Sequence, residues 1–214
     1  MPADKPLPEH VKIIQRLMLR APQHRAILIP TMLLIGLTAL ALGISLTLLA
    51  GIEINLSTYP YSTGFWVTCW FAAASAPLTL SIYLSAKQAK NDHHEVDTPQ
   101  LRHIFRSLAP ALLSGFVIGM LLSFHDVRNL PLTAAIWISS YGVALLAIRI
   151  YCTKSARFLG VLMLALGLTY CWVALRTYGD IHPIHFANFF MCVAFGMFHL
   201  IVATGSILFA KVNS

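Results

Sequence analysis

The sequence predicts an all-α integral membrane protein, with six transmembrane helices preceded by a short N-terminal amphipathic helix. Three observations carry that expectation. Of 214 residues, 57% are hydrophobic and only 11% charged, where soluble domains carry about a quarter charged residues. The apolar residues gather into six long runs, and Lys and Arg gather in alternate connections between those runs. A soluble globule of this size has too much surface for its volume to hide so many apolar side chains. A bilayer has no need to hide them.

Residues 1–25 form the first element, a basic cytoplasmic segment. From Glu9 to Arg20, Val11, Ile14, Leu17 and Met18 recur near helical spacing, with Lys12, Arg16 and Arg20 on the other side. That pattern predicts a short helix lying on an anionic leaflet and ended by Pro22. Each basic residue there gains about 1 kcal/mol from anionic lipid.

The membrane domain follows over 26–210. A span needs roughly 20 mainly apolar residues, because each helical residue rises about 1.5 Å through a core about 30 Å thick. Six segments qualify: Ile27–Ile52, Gly64–Ala86, Ser107–Phe124, Leu130–Ile148, Phe158–Leu175 and Phe186–Ala210. The first run is long enough to span and reads as an uncleaved anchor. Residues 211–214 are left as a cytoplasmic tail. Of the connections, only Lys87–Arg106 is long, and its Asn91–Asp97 stretch reads as a solvated linker. His93 and His94 within it lack the i, i+4 spacing that sets two metal ligands on one helix face.

The basic residues orient the bundle. Lys5, Lys12, Arg16, Arg20, Arg25, Lys87, Lys90, Arg102, Arg106, Arg149, Lys154, Arg157 and Lys211 fall on one side, and only Arg128 and Arg176 on the other. By the positive-inside rule the first side is cytoplasmic, and an even number of spans returns both termini to it. This placement also explains the net charge of +7. No basic face on a soluble module is left to bind nucleic acid. The plasma (inner) membrane is the predicted location.

Ionisable groups are costly inside a bilayer, so each is a functional candidate. His199, flanked by Phe195-Gly196-Met197-Phe198 and Leu200, is the clear case. The simplest reading is a neutral imidazole hydrogen-bonded to a neighbouring helix. His185 lies 14 residues earlier, which in a uniform α-helix puts the two within about 40° of one face and about 21 Å apart. His185 and His199 are therefore the candidate cofactor-binding residues. Two stacked haems would need facing ligands, for which His125 and His103 flank the third span. Packing remains the simpler explanation, and no cofactor and no metal site is predicted.

Glu53, His125, Asp126, Arg128, Arg176, Asp180, His182 and His185 sit in or beside the outer connections, where they would serve as anchors, caps and local ion pairs. Cys69, Cys171 and Cys192 lie at similar depth and, like Cys152, read as apolar packing residues. Gly115 and Gly119, spaced G-x-x-x-G, and the run Ala72 to Ala76 read as close helix-packing sites. Pro77 is expected to kink the second span. Trp66, Trp137 and Tyr59 fit an outer aromatic belt.

Arg16-Leu17-Met18 through Arg25-Ala26-Ile27 and Pro30, Leu130-Pro131 with Trp137 and Tyr141-Gly142, and above all Phe195-Gly196-Met197-Phe198-His199-Leu200 carry a resemblance. They resemble a group of uncharacterised bacterial six-span membrane proteins, over most of the chain, with departures at Leu19 and Pro22. Members of that group often appear beside a winged-helix DNA-binding regulator. The resemblance implies no catalytic residue.

The sequence therefore points to a small non-enzymatic membrane protein of the sensor or regulatory kind, whose contacts are the lipid bilayer, a cytoplasmic partner and other copies of itself. Transport of a small solute is the alternative, and a membrane-embedded haem or metal protein the third. Coupled transport would use charged residues within the spans, and these are scarce. No nucleophile with its base and no acid–base pair can be placed.

Overall fold

A computed structural model of the chain describes residues 29–49, 63–91, 99–149, 154–176 and 183–212. The described residues are almost wholly helical and contain no strand. The basic segment 1–25, Tyr59, and the connections holding Glu53, His93, His94, Cys152, Asp180 and His182 lie outside them.

Seven helical pieces follow in order: α1 (Ile29–Leu49), α2 (Thr63–Asn91), α3 (Pro99–His125), α4 (Leu130–Ala147), α5 (Lys154–Arg176), α6 (Pro183–Met191) and α7 (His199–Val212). A single turn of 3-10 helix, Val127–Asn129, joins α3 to α4, and a π-helical stretch, Cys192–Phe198, makes α6 and α7 one continuous rod. Among the described residues, five helices are long and apolar enough to cross a membrane: Ile29–Leu49, Arg106–His125, Val127–Ala147, Lys154–Arg176 and Pro183–Leu208. The chain is a multi-pass α-helical membrane protein. The predicted segment Gly64–Ala86 coincides with α2, a helix of 29 residues that contains Pro77.

Three helices run past their expected boundaries. α3 and α5 run 27 and 23 residues, longer than the apolar runs within them. Helix hydrogen bonding does not stop where hydropathy falls, so Pro99–Arg106 and Lys154–Arg157 continue the helices in polar sequence. For the same reason the long Lys87–Arg106 connection shrinks: α2 reaches Asn91 and α3 begins at Pro99.

The polarity is inverted relative to a soluble protein. Ser123, Thr133, Asn188 and His199 are buried, while Leu113, Leu121, Leu175 and Leu208 are each more than 60% exposed. Such an outer surface is stable only against lipid.

At the centre stands α4, packed against α3, α5 and α6. Glycines let it approach its neighbours backbone to backbone. A Cβ on Gly142 would stand 2.5 Å from Leu164 N and 2.9 Å from Gly160 O on α5, and one on Gly167 would meet Ser139 N at 2.6 Å. On the other side Gly115 faces Ser140 and Gly119 faces Trp137, so the G-x-x-x-G expectation holds. α1 packs on the last rod by the same means: Gly36 faces Leu200, and Gly196 faces Leu40. The Ala72–Ala76 run does not pack this way. Ala72, Ala74 and Ala76 are exposed, because the α2 residues that turn inward are Trp66, Val67, Trp70 and Pro77.

Gly142→Ala should therefore lower the melting temperature in detergent, by the equivalent of about 1–3 kcal/mol for overpacking against backbone. Gly205→Ala, with nothing within 4 Å of the added carbon, should leave it unchanged or raise it. Equal losses from both would show that close approach of α4 to α5 is not what the glycine provides.

Candidate functional site

Two buried polar clusters lie along the last rod, one on each side of the π-helical stretch. The first is built on Asn188 of α6. Its side-chain oxygen accepts from Trp66 Nε1 at 2.8 Å and from Trp70 Nε1 at 3.3 Å. Its amide nitrogen lies 3.5 Å from Thr47 Oγ1 on α1. One amide thus ties α6 to both α1 and α2. The indoles are four residues apart, one helical turn, so both reach the same oxygen.

Aromatic packing extends this cluster. Trp137 of α4 stacks on Trp66 at 5.8 Å and on Phe116 of α3 at 6.2 Å. Trp66 is 1% exposed, and Trp137 is half-buried against the core. Neither belongs to an outer aromatic belt as expected, because each ring gains more by packing between helices than by facing the headgroups. Among the described residues, Trp137 Nε1 is the one buried side-chain nitrogen or oxygen without a hydrogen-bond partner. It lies against the glycine face at Gly119.

The second cluster centres on His199, the first residue of α7 and fully buried. Its ring lies 5.6 Å from Tyr141 of α4 and stacks on Phe195 at 5.8 Å. Nδ1 is 3.3 Å from Ala194 O, and Nε2 is 3.1 Å from Tyr141 Oη. A carbonyl can only accept, so the proton of the neutral ring resides on Nδ1. Nε2 is then the acceptor, and the Tyr141 hydroxyl donates to it.

The π-helical stretch runs up to this ring. The His199 backbone N–H reaches Gly196 O, and Ala194 O, five residues back and within the stretch, accepts from the His199 side chain.

Minor polar contacts close the remaining seams. Thr133 Oγ1 donates to Gly119 O at 3.2 Å and lies 2.9 Å from Ser123 Oγ, joining α4 to α3. Asp126 accepts from Arg128 N at 2.9 Å and so caps the 3-10 turn. The Arg176 guanidinium lies over Trp172 at 5.4 Å.

Of the two candidate histidines, His199 is held on both ring nitrogens from within the protein, and His185 is half-buried near the start of α6. The expected common face of the two rested on a uniform α period. Seven of the intervening residues are π-helical, where each residue turns through a smaller angle, so that alignment does not hold. His125 is exposed at the end of α3, and His103 lies on the first turns of α3. Cys69, Cys171 and Cys192 are free thiols, and Cys192 Sγ is 3.8 Å from Ala39 O. Among the described residues no three His, Cys, Asp or Glu side chains gather closely enough to hold a metal ion.

Asn188 went unnoticed in the sequence because it is not ionisable. The signal was present all the same, as one amide among Phe186-Ala187-Asn188-Phe189-Phe190, where a side chain unable to hydrogen-bond outward must find a partner on another helix.

Fold and interior together define a multi-pass helical membrane protein whose buried polar groups serve mainly one another across helices. No family model, no curated protein and no solved structure matches the chain.

Asn188→Ala should destabilise the bundle more than loss of either indole donor. Each of the two buried N–H groups loses its acceptor at about 1–3 kcal/mol, whereas Trp70→Phe removes one interhelical hydrogen bond worth about 1 kcal/mol. Thermal melts of both variants and of their double mutant check this. In the double mutant the Trp70→Phe cost should shrink or vanish, and strict additivity would exclude the shared amide.

Proposed function

We propose that this chain is a six-span inner-membrane protein with both termini in the cytoplasm, acting as a non-enzymatic sensor or regulatory protein whose basic face engages a cytoplasmic partner. One observation carries the reading. The buried polar groups are used to bind helices to one another: Asn188 to α1 and α2, His199 to α4, and Thr133 to α3. Machinery for chemistry would instead aim such groups at a space for substrate. The charge available to a partner lies at the ends of the helices and in the segments between them, in thirteen basic residues on one side against Arg128 and Arg176 on the other.

The sixth span in this scheme is α2, whose 29 residues exceed the roughly 20 a crossing needs. A signal received in the bundle would leave through residues 1–25 and the helix ends and connections that carry Lys87, Arg106, Arg149 and Arg157. Transport of a small solute is the second reading, favoured by the π-helical interruption within the last span, since interrupted helices line many transporter sites. Reconstituted vesicles that accumulate no solute across a broad ion and amino-acid panel would count against it.

Reporter fusions after Ser57, Arg128 and Gly179 should read outside, and fusions after Asn91, Thr153 and Ser214 inside. An outside signal after Asn91 would remove α2 from the set of spans and invert everything that follows it.

Neutralising Arg16, Arg20 and Arg25 together should abolish recovery of a soluble protein crosslinked to the membrane-inserted chain, with insertion and orientation unchanged. Crosslinking that yields only lipid and self-contacts from the parent would sink the partner reading.

A further inference from the structure

Asn188 and His199 are eleven residues apart on one continuous rod. In an uninterrupted α-helix they would point within about 20° of each other. Their partners lie on different helices. Asn188 binds Thr47 on α1 and Trp66 and Trp70 on α2, while His199 binds Tyr141 on α4. Between them stands the π-helical stretch, whose wider turns set α6 and α7 out of common register.

We infer that the last rod is a two-position element, with the π-helical stretch as its register joint and the Tyr141–His199 hydrogen bond as the latch that holds the joint open. Three features of the structure support the latch. The ring's other nitrogen is bonded to Ala194 O within the stretch itself, so the imidazole bridges the joint and α4. Phe195, also within the stretch, packs on both Tyr141 and His199. Gly196 leaves the joint in close contact with Leu40 of α1 and no bulk of its own. A π turn differs from an α-helix by one residue's worth of winding and is found often at functional sites. Releasing the ring unties the stretch from α4, so that the wide turn can close to α geometry and rotate α6 relative to α7. The rotation carries Asn188 away from Trp66 and Trp70. This inference is independent of any cytoplasmic partner.

The test follows indole N–H and imidazole nitrogen resonances of the full-length chain in detergent micelles. In the parent, His199 should show a protonated Nδ1 and an unprotonated Nε2, identified by their loss in His199→Asn. Tyr141→Phe, which removes one oxygen and keeps the ring, should shift the Trp66 and Trp70 indole signals on the far side of the joint. Deleting Met197, a half-exposed residue of the stretch, takes out the extra residue and should close the joint by sequence alone. Its Trp66 and Trp70 signals should move in the same direction as those of Tyr141→Phe.

Unmoved indole signals in Tyr141→Phe would overturn the inference, since the two clusters would then be independent. Indole signals that move in opposite directions in the two variants would overturn it as well, because the motion would not be a change of register. Should the deletion not fold, the Tyr141→Phe spectrum decides alone: movement of both indoles supports the latch, and movement of neither rejects it. An Nε2-protonated His199 in the parent would also reject it.

Discussion

Hydrocarbon offers no hydrogen bonds, and that constraint organises the interior of this protein. Any polar side chain within a span must find its partner on the protein. Among the described residues Ser123, Thr133, Asn188 and His199 are buried, and each reaches another helix or a partner that does. They act as addresses. A Leu fits many apolar surfaces about equally well, but the Asn188 oxygen is satisfied where Trp66 and Trp70 converge on it. The hydrogen bonds therefore fix which face of the last rod meets which neighbour, a matter that apolar packing in lipid leaves loosely determined.

Close backbone approach is the second requirement, and it follows from the first. Hydrogen bonds between short side chains on adjacent helices need those helices near each other. The glycines along α4 and its neighbours provide the room. Gly119 illustrates the coupling: its lack of a side chain admits the Trp137 ring, and its carbonyl accepts from Thr133. Gly142 and Gly167 bring the backbones of α4 and α5 together, while on the other side Gly115 and Gly119 of α3 receive the Ser140 and Trp137 side chains of α4. Dispersion between well-fitted surfaces then supplies the association that hydrophobicity cannot supply in lipid.

The last rod joins these two themes to motion. Its Asn188 and His199 clusters are each well satisfied, yet they are satisfied by different helices, and the π-helical stretch reconciles them. A bundle held by a few directional contacts at separated points is stiff within each part and adjustable between them. That is the mechanical character the proposed sensory role calls for, where a small change at one end must be legible at the other.

The sequence by itself determined the class and the course of the helices. Runs such as Leu130–Ile148 and Phe158–Leu175 could only be helices in lipid, because apolar length and the need to satisfy the backbone internally leave no other solution. It also determined that His199 would matter and that Gly115 and Gly119 would be contact points, since an imidazole in a span needs a partner and a bare backbone invites a neighbour. What only the tertiary structure decided is direction. Trp66 and Trp137 have the composition of an interfacial belt, but Trp66 turns inward to Asn188, on a helix more than a hundred residues away, and Trp137 stacks on Trp66. His185 and His199 align by α periodicity, but a π-helical stretch intervenes, with the Tyr141–His199 contact at its end and Leu40 packed on its Gly196. Local periodicity records how far along a helix a residue lies. Which neighbour it faces depends on the complementary surface of another helix, and that information is spread over the whole chain.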